Sequence, residues 1–456
     1  MGRICKYQYT HFIYPFVVEE KKYDKFLERI ISDKKNWNIK LYDANADYDV
    51  YSFFLPYIKK FLFQPLFWKT EDRKNFKKYD IKKKMSFLKK MPCITFDYNL
   101  KNIKVGNVNT NGEEISFDIS SIRLIVFEPG ICFIDFKTEI EVYEKYINFD
   151  NILDFNYIFK EITPRGDTKI QFNKIRANKI DDIKSIASFI KKITDGYETE
   201  DIDRIYYDRM FTYSYVCLDK DEWNKPEDFK MLENDFYKLQ YVQEGKSESL
   251  FNTECEKLLE NRYSRWQYSM FGFSRESGVV MVSEVEKYNI TKLPHDFEKV
   301  YIYMVLLGLY QRISLINFSQ ELLKSSQQRV KNMQHKLTKF VHFTWFSQIT
   351  NSEHGTDLWK KWQQAFGLNE LFEEVHKEYQ EYYDEIVAER QNGINTVLMI
   401  VYIVSAVFAG LAVFAEQIQF QGTWMEPFLY ISLIIAILSY PAYLVYKLFR
   451  RVKKVR

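Results

Sequence analysis

Near its C-terminus the chain carries two uncharged, apolar runs, 25 residues from Gln391 to Ala415 and 20 from Pro427 to Tyr446. No other feature limits the fold so strongly. As a helix the first run is roughly 37 Å long at ~1.5 Å per residue, enough to cross a hydrocarbon core of ~30 Å. Two such runs side by side favour membrane helices over a pair of buried core helices. Only eleven residues separate them, Glu416 to Glu426, with two acids and no Lys or Arg. Beyond the second run stand Lys447, Arg450, Arg451, Lys453, Lys454 and Arg456. Basic residues mark the cytoplasmic side of a membrane helix. The reading is a transmembrane hairpin, with TM1 at 391–415, a short outer loop, TM2 at 427–446 and a basic inner tail at 447–456. It places a multi-pass protein in the inner (plasma) membrane with both termini cytoplasmic and the lipid bilayer as a partner. Met1–Thr10 lacks the apolar run of a signal peptide, so the C-terminal segments are expected to direct insertion.

Between Pro294 and Pro427 lie 132 residues without a proline, while apolar residues recur every three or four places. This predicts a helix from Asp296 to Phe346 and a polar break at Ser347–Asp357. A second helix, capped by Thr356 or Asp357 and starting near Leu358, is expected to run unbroken into TM1 as far as Ala415. It would span about 87 Å, with Gly367 and Gly393 as points where it can kink. Residues 291–390 thus form a long helical hairpin and stalk, and 1–290 a mixed α/β sensing domain. In that domain extended runs are expected at Ile94–Tyr98, Ile115–Ile119, Ile122–Phe127 and Ile131–Phe136, the last two joined at Glu128-Pro129-Gly130. Arg204–Leu218, Arg265–Phe273 and Val279–Ser283 also read as extended. Helices are expected at Tyr23–Ile31, Asn151–Ile162 and Ile183–Ile193. The fold class is an α+β cytoplasmic domain plus a long helical stalk and a two-helix transmembrane hairpin.

Several function classes find no support. The formal charge is only +3, and the basic stretch Lys82–Lys90 reads as a solvated helix face, so no direct nucleic-acid binding is expected. Cys5, Cys93, Cys132, Cys217 and Cys255 have neither disulfide nor zinc spacing and read as reduced, buried thiols. The six histidines are dispersed; His335 and His342 share a helix face but lack a third ligand. No phosphate-binding glycine loop or nucleophile elbow is present, so no enzyme and no catalytic residue is expected.

The layout of α/β domain, helical hairpin, stalk helix, membrane helix, short acidic loop, second membrane helix and basic tail resembles the CorA family of magnesium channels. Local similarity is confined to 390–456, where Ala409-Gly410-Leu411 stands at the family's Ala-Gly-Ile/Val. The family's Gly-Met-Asn signature is replaced by Val413, Phe414, Ala415 and Glu416, so its magnesium-holding Asn does not carry over. The resemblance implies a homo-oligomer, a pentamer, whose first membrane helix lines a pore for divalent cations such as magnesium. Divergent CorA-like effectors of type III CRISPR defence extend the implication to gating by a nucleotide second messenger such as adenylated S-adenosylmethionine (SAM-AMP). The alternatives are a membrane-anchored defence protein that perturbs the bilayer without selective conduction, a housekeeping magnesium transporter, and an enzyme tethered by the hairpin.

Helical spacing puts Asn392, Asn395, Met399, Ile403, Ala406, Gly410 and Val413 near one face of TM1, with Glu416 at its outer end. Small residues on that face permit close helix approach, which makes simple helix packing the competing reading. A ring of Glu416 carboxylates would attract cations. Glu370 to Arg390 holds eight acids against Lys377 and Arg390, an acid-biased approach to such a pore. For a small nucleotide ligand, Arg262, Arg265, Trp266 and Arg275, joined by Arg204 and Arg209, combine phosphate-forking guanidinium groups with a stacking ring. Taken alone, the segment reads more simply as core aromatics with surface arginines.

Overall fold

A computed structural model describes residues 3–100, 104–110, 113–141, 147–162, 186–198, 209–247, 261–323 and 327–417, together with Tyr443. The chain divides into two units, Met1–Leu323 with Gln334–Glu373, and Lys324–Met333 with Glu374–Arg456. TM2, Arg204 and Cys255 lie outside the described residues, apart from Tyr443.

The first unit is α+β and built on one large sheet. Its strands are β1 (Ile4–Val17), β2 (Trp37–Ile39), β3 (Cys93–Tyr98), β4 (Lys104–Thr110), β5 (Glu113–Phe127), β6 (Ile131–Ile140), β7 (Ile147–Asn148), β8 (Phe211–Leu218), β9 (Arg262–Tyr263), β10 (Ser269–Phe273) and β11 (Ser277–Ser283). Their order is β2-β3-β5-β6-β1-β8-β11-β10-β9, with β4 on β5 and β7 on β1. Every pairing is antiparallel except β8 with β11. The expected turn at Glu128-Pro129-Gly130 joins β5 to β6. The two strands expected at 115–119 and 122–127 are one strand, β5, with a register shift between Ile119 and Ser121.

Both faces of the sheet are covered, so strands bury nearly every residue in place of alternating; β8 and β11 are buried throughout. On one face Phe12 of β1 packs on Phe155 and Phe159 of α1 (Phe149–Phe159). On the other, Tyr213 of β8 stacks on Phe297 at 3.8 Å and 9°. Phe297 opens a turn of π-helix, Phe297–Tyr301, that leads into α2 (Ile302–Leu323). The segment Leu293–Leu322 is apolar enough, at mean hydropathy 1.2, to pass as a membrane span, but 83% of its most apolar window is buried. It is a core helix, apolar all round because packing partners surround it.

The face carrying Phe297 also holds a buried ion network. Asp135 Oδ1 lies 2.9 Å from His11 Nδ1, and Arg123 donates from Nε and Nη2 to Asp135 Oδ2 at 2.9 and 2.6 Å. The His11 and Asp135 side chains are 0% exposed. Burial alone would raise the Asp135 carboxyl; the charges of His11 and Arg123 outweigh it and hold the group at about 2. Lys137 donates to Glu298 at 3.1 Å, which ties the sheet to the π-turn.

The helical region departs from the sequence expectation in three places. The helix expected over 296–346 is the π-turn, α2 and α3 (Gln327–Phe343), with 324–326 outside the described residues. The next helix, α4 (Glu353–Phe366), starts before Leu358, and its cap is neither Thr356 nor Asp357. Ser352 caps it, its Oγ accepting from the Gly355 amide at 3.3 Å. Nor does α4 run into the expected membrane segment. It ends at Gly367, whose φ of +59° lies in the left-handed region that glycine adopts without strain. Helix α5 (Leu368–Gln417) then continues for 50 residues, about 75 Å, and Gly393 does not interrupt it.

Helix α4 is clamped where it crosses the sheet. A Cβ on Gly278 of β11 would stand 2.3 Å from Trp362, so only glycine lets the indole lie on the strand. Arg312 of α2 donates to the Phe366 carbonyl at the end of α4.

Of the five cysteines, Cys5, Cys93, Cys132 and Cys217 are buried and free of disulfides. The basic stretch forms the helix Ile81–Leu88, whose lysines are solvated except Lys84.

Candidate ligand pocket

Five segments of the first unit converge on a pocket of about 360 Å³ lined by Phe53, Arg265, Trp266, Tyr288, Tyr301, Ser352, Glu353 and His354. Arg265 and Trp266 lie in the bend between β9 and β10, Tyr288 on the short helix Lys287–Thr291, and Tyr301 at the end of the π-turn. Ser352, Glu353 and His354 are the cap and first turn of α4. Amides in the first turn of a helix have no intrahelical acceptor and carry the positive end of its dipole.

His354 is the centre of the pocket. Its ring meets Trp266 at 4.6 Å, Tyr263 at 5.5 Å, and Phe271 and Tyr301 at 5.7 Å between centroids. The residue is 8% exposed. This apolar surround, followed by the nearby Arg265 charge, lowers the imidazole to about 4, so the ring is neutral at physiological pH. Nδ1 lies 3.1 Å from the Tyr263 hydroxyl, while Nε2 is buried with no hydrogen-bond partner among the described residues. Arg265 is also hydrogen-bonded to Tyr263. The Tyr263 hydroxyl also lies 3.5 Å from Asp357 Oδ2, so it stands between the carboxylate and the imidazole.

At the mouth, Trp266 is 41% and Tyr288 38% exposed, with rings 6.0 Å apart. Arg265 donates to Glu353 at 2.8 Å, and the Glu353 side chain is 80% exposed. An ion pair so open to water contributes little to stability, and a better anion displaces the carboxylate at little cost.

The structure gathers some of the ligand residues expected from sequence and separates others. Arg265 and Trp266 line the pocket. Arg262, on β9, pairs with Glu233 at 3.0 Å. Arg209 pairs with Glu276 at 2.8 Å, in the turn between β10 and β11. Arg275 stands in the same turn, with its guanidinium 3.8 Å from the point where a side chain on Gly367 would begin. That is the C-terminal end of α4, roughly 20 Å along the helix from the pocket. Sequence reasoning missed Phe53, Tyr288, Tyr301, Glu353 and His354. The one local signal was a histidine two places after a serine in a polar break, which is where a helix cap belongs.

All eight residues of the expected pore face lie on α5. From Gln391 to Met399 every residue is exposed, and large apolar side chains such as Ile394, Val397, Leu398, Met399, Val401, Tyr402 and Ile403 stand 47–72% exposed. Asn395, Leu398, Met399, Tyr402, Ile403 and Ala406 line an open groove of about 570 Å³. The acids from Glu370 to Glu389 are exposed except Glu378. Among the described residues no three His, Cys, Asp or Glu side chains converge as a metal site.

The chain matches no protein-family model, no curated protein and no solved structure.

Proposed function

We propose that the chain is an oligomeric, CorA-like membrane channel for cations, gated by a small nucleotide bound in its α+β domain. The observation that carries this reading is α5. Its first half is charged and acid-rich, whereas 391–415 is uncharged and, among the described side chains, exposes apolar residues around the helix. In water such a surface is unfavourable by about 25 cal/mol per Å². A bilayer and neighbouring copies of the helix remove that cost. One or two helices enclose no lumen, so conduction requires several copies, and the resemblance to CorA channels makes a pentamer the working stoichiometry. The acids of the stalk then surround the inner approach and enrich cations within a Debye length of ~8 Å. Magnesium is the first cation to try and SAM-AMP the first messenger. The basic tail after the second apolar run supports a cytoplasmic α+β domain in this reading.

Ion flux through the full chain in liposomes tests the proposal. Nucleotide-dependent cation flux that weakens in Asn395→Ala and Glu416→Ala is the expected result. Absence of flux under all conditions sinks it. Release of large neutral dyes together with ions points instead to bilayer disruption.

A further inference from the structure

We infer that the pocket at the head of α4 is a binding site for a single phosphorylated heteroaromatic ring, a mononucleotide or a unit of that chemistry; as the seat of the gating ligand, it rests on the channel reading above. Three observations point to one ligand. The half-exposed rings of Trp266 and Tyr288 offer stacking faces at the mouth. Below them, His354 Nε2 is a buried ring nitrogen with no hydrogen-bond partner among the described residues, a group that costs free energy until a polar edge of a ligand base meets it. Beside it, Arg265 is held by the Tyr263 hydroxyl and an exposed carboxylate, and the first turn of α4 presents the positive end of its helix dipole. An Arg fork together with a helix N-terminus is a phosphate site. A volume of about 360 Å³ suits one nucleotide and falls at the lower end of ligand pockets.

Occupancy has a mechanical reach. A phosphate shared by Arg265 and the first turn of α4 ties the β9–β10 bend to that helix. The far end of α4 is Gly367, and the next residue begins α5. Among the described residues no other helix leads directly from this pocket into α5 along the chain.

Binding is read by quenching of tryptophan fluorescence in the full chain in lipid nanodiscs, with AMP, GMP, CMP and UMP as probes. At least one mononucleotide is expected to bind saturably, about tenfold or more tighter than its nucleoside or inorganic phosphate. Arg265→Ala should erase the advantage of nucleotide over nucleoside. His354→Phe, which keeps an aromatic ring and loses the polar nitrogen, should weaken both about tenfold. Arg209→Ala, at the far end of α4, should leave binding unchanged, and this variant controls for indirect effects. Saturable binding by none of the four probes overturns the inference, as does binding that survives Arg265→Ala and His354→Phe intact. Flux is measured separately. Binding without flux leaves the site standing and removes the channel, whereas gated flux in Arg265→Ala does the reverse.

Discussion

His354 ties stability to pH. Its folded value of about 4 lies below the ordinary histidine value of 6.5 because burial and Arg265 disfavour the imidazolium. Between these values the unfolded chain takes up a proton that the folded chain refuses. Stability is therefore full above about pH 6.5 and falls as pH drops towards 4. The loss attributable to this residue is of order 1–2 kcal/mol, after allowance for solvent at the pocket mouth. Thermal unfolding at pH 7.5 and 4.5 should show a smaller gap for His354→Gln than for the parent chain; equal gaps refute the assignment. Asp135 behaves differently. Asparagine in its place keeps the shape but leaves the Arg123 guanidinium without its counter-charge and removes the carboxylate partner of His11, at a cost of about 3–5 kcal/mol. Urea unfolding of Asp135→Asn measures this. At this scale the sequence is a partial guide. Arg265 and Trp266 are adjacent and visible as an Arg–aromatic pair, but Phe53, Tyr288, Tyr301 and His354 come from segments scattered over 300 positions. Only the folded sheet makes them neighbours.

Elements were legible where a helix shows one apolar face or a strand carries a run of β-branched and aromatic residues, as in β6 and β11. They were illegible where polar residues interrupt a buried strand. Amphipathic helices such as Tyr23–Ser32 emerge within a residue or two of expectation. The central strand β1 raised no signal, although it pairs with both β6 and β8. It buries Gln8, Thr10 and His11 among its apolar residues, and Pro15 interrupts the run. Period-two alternation cannot appear in a strand packed on two sides. The break at Gly367 was legible as a glycine but not as a helix end, because left-handed φ leaves no trace in composition. Gly278 carries the strongest packing constraint of this kind. In Gly278→Ala the new methyl meets Trp362, and α4 must lift from the sheet, at an expected cost of about 1–3 kcal/mol. Trp362→Leu in the same chain should recover much of that loss. A double-mutant cycle by thermal unfolding decides it: strictly additive losses would show that the indole and strand are not coupled.

For the molecule as a whole, the proposed assembly poses the question of which side of α5 would face other copies of the chain. At 100° per residue, Asn392, Asn395, Met399, Ile403, Ala406 and Gly410 share one side, and Val397, Val401, Val404 and Phe408 the opposite one. The first side is mixed in size and carries amide, methyl and glycine; the second is uniformly bulky and apolar. Lipid tails solvate the bulky side well, whereas close packing and polar contact favour the other at a helix interface. A pore and a plain packing face both require the first side to be turned inward, so cross-linking tests the orientation independently of conduction. In a Cys255→Ser background, Cys5, Cys93, Cys132 and Cys217 are buried and do not compete. Asn395→Cys in native membranes should then oxidise to a covalent dimer, and Val401→Cys should stay monomeric. The opposite pattern would turn the bulky face inward and remove Asn395 from any conducting path. Dimers at both positions would mean that the helix has no fixed orientation, and a selective channel could not be built from it.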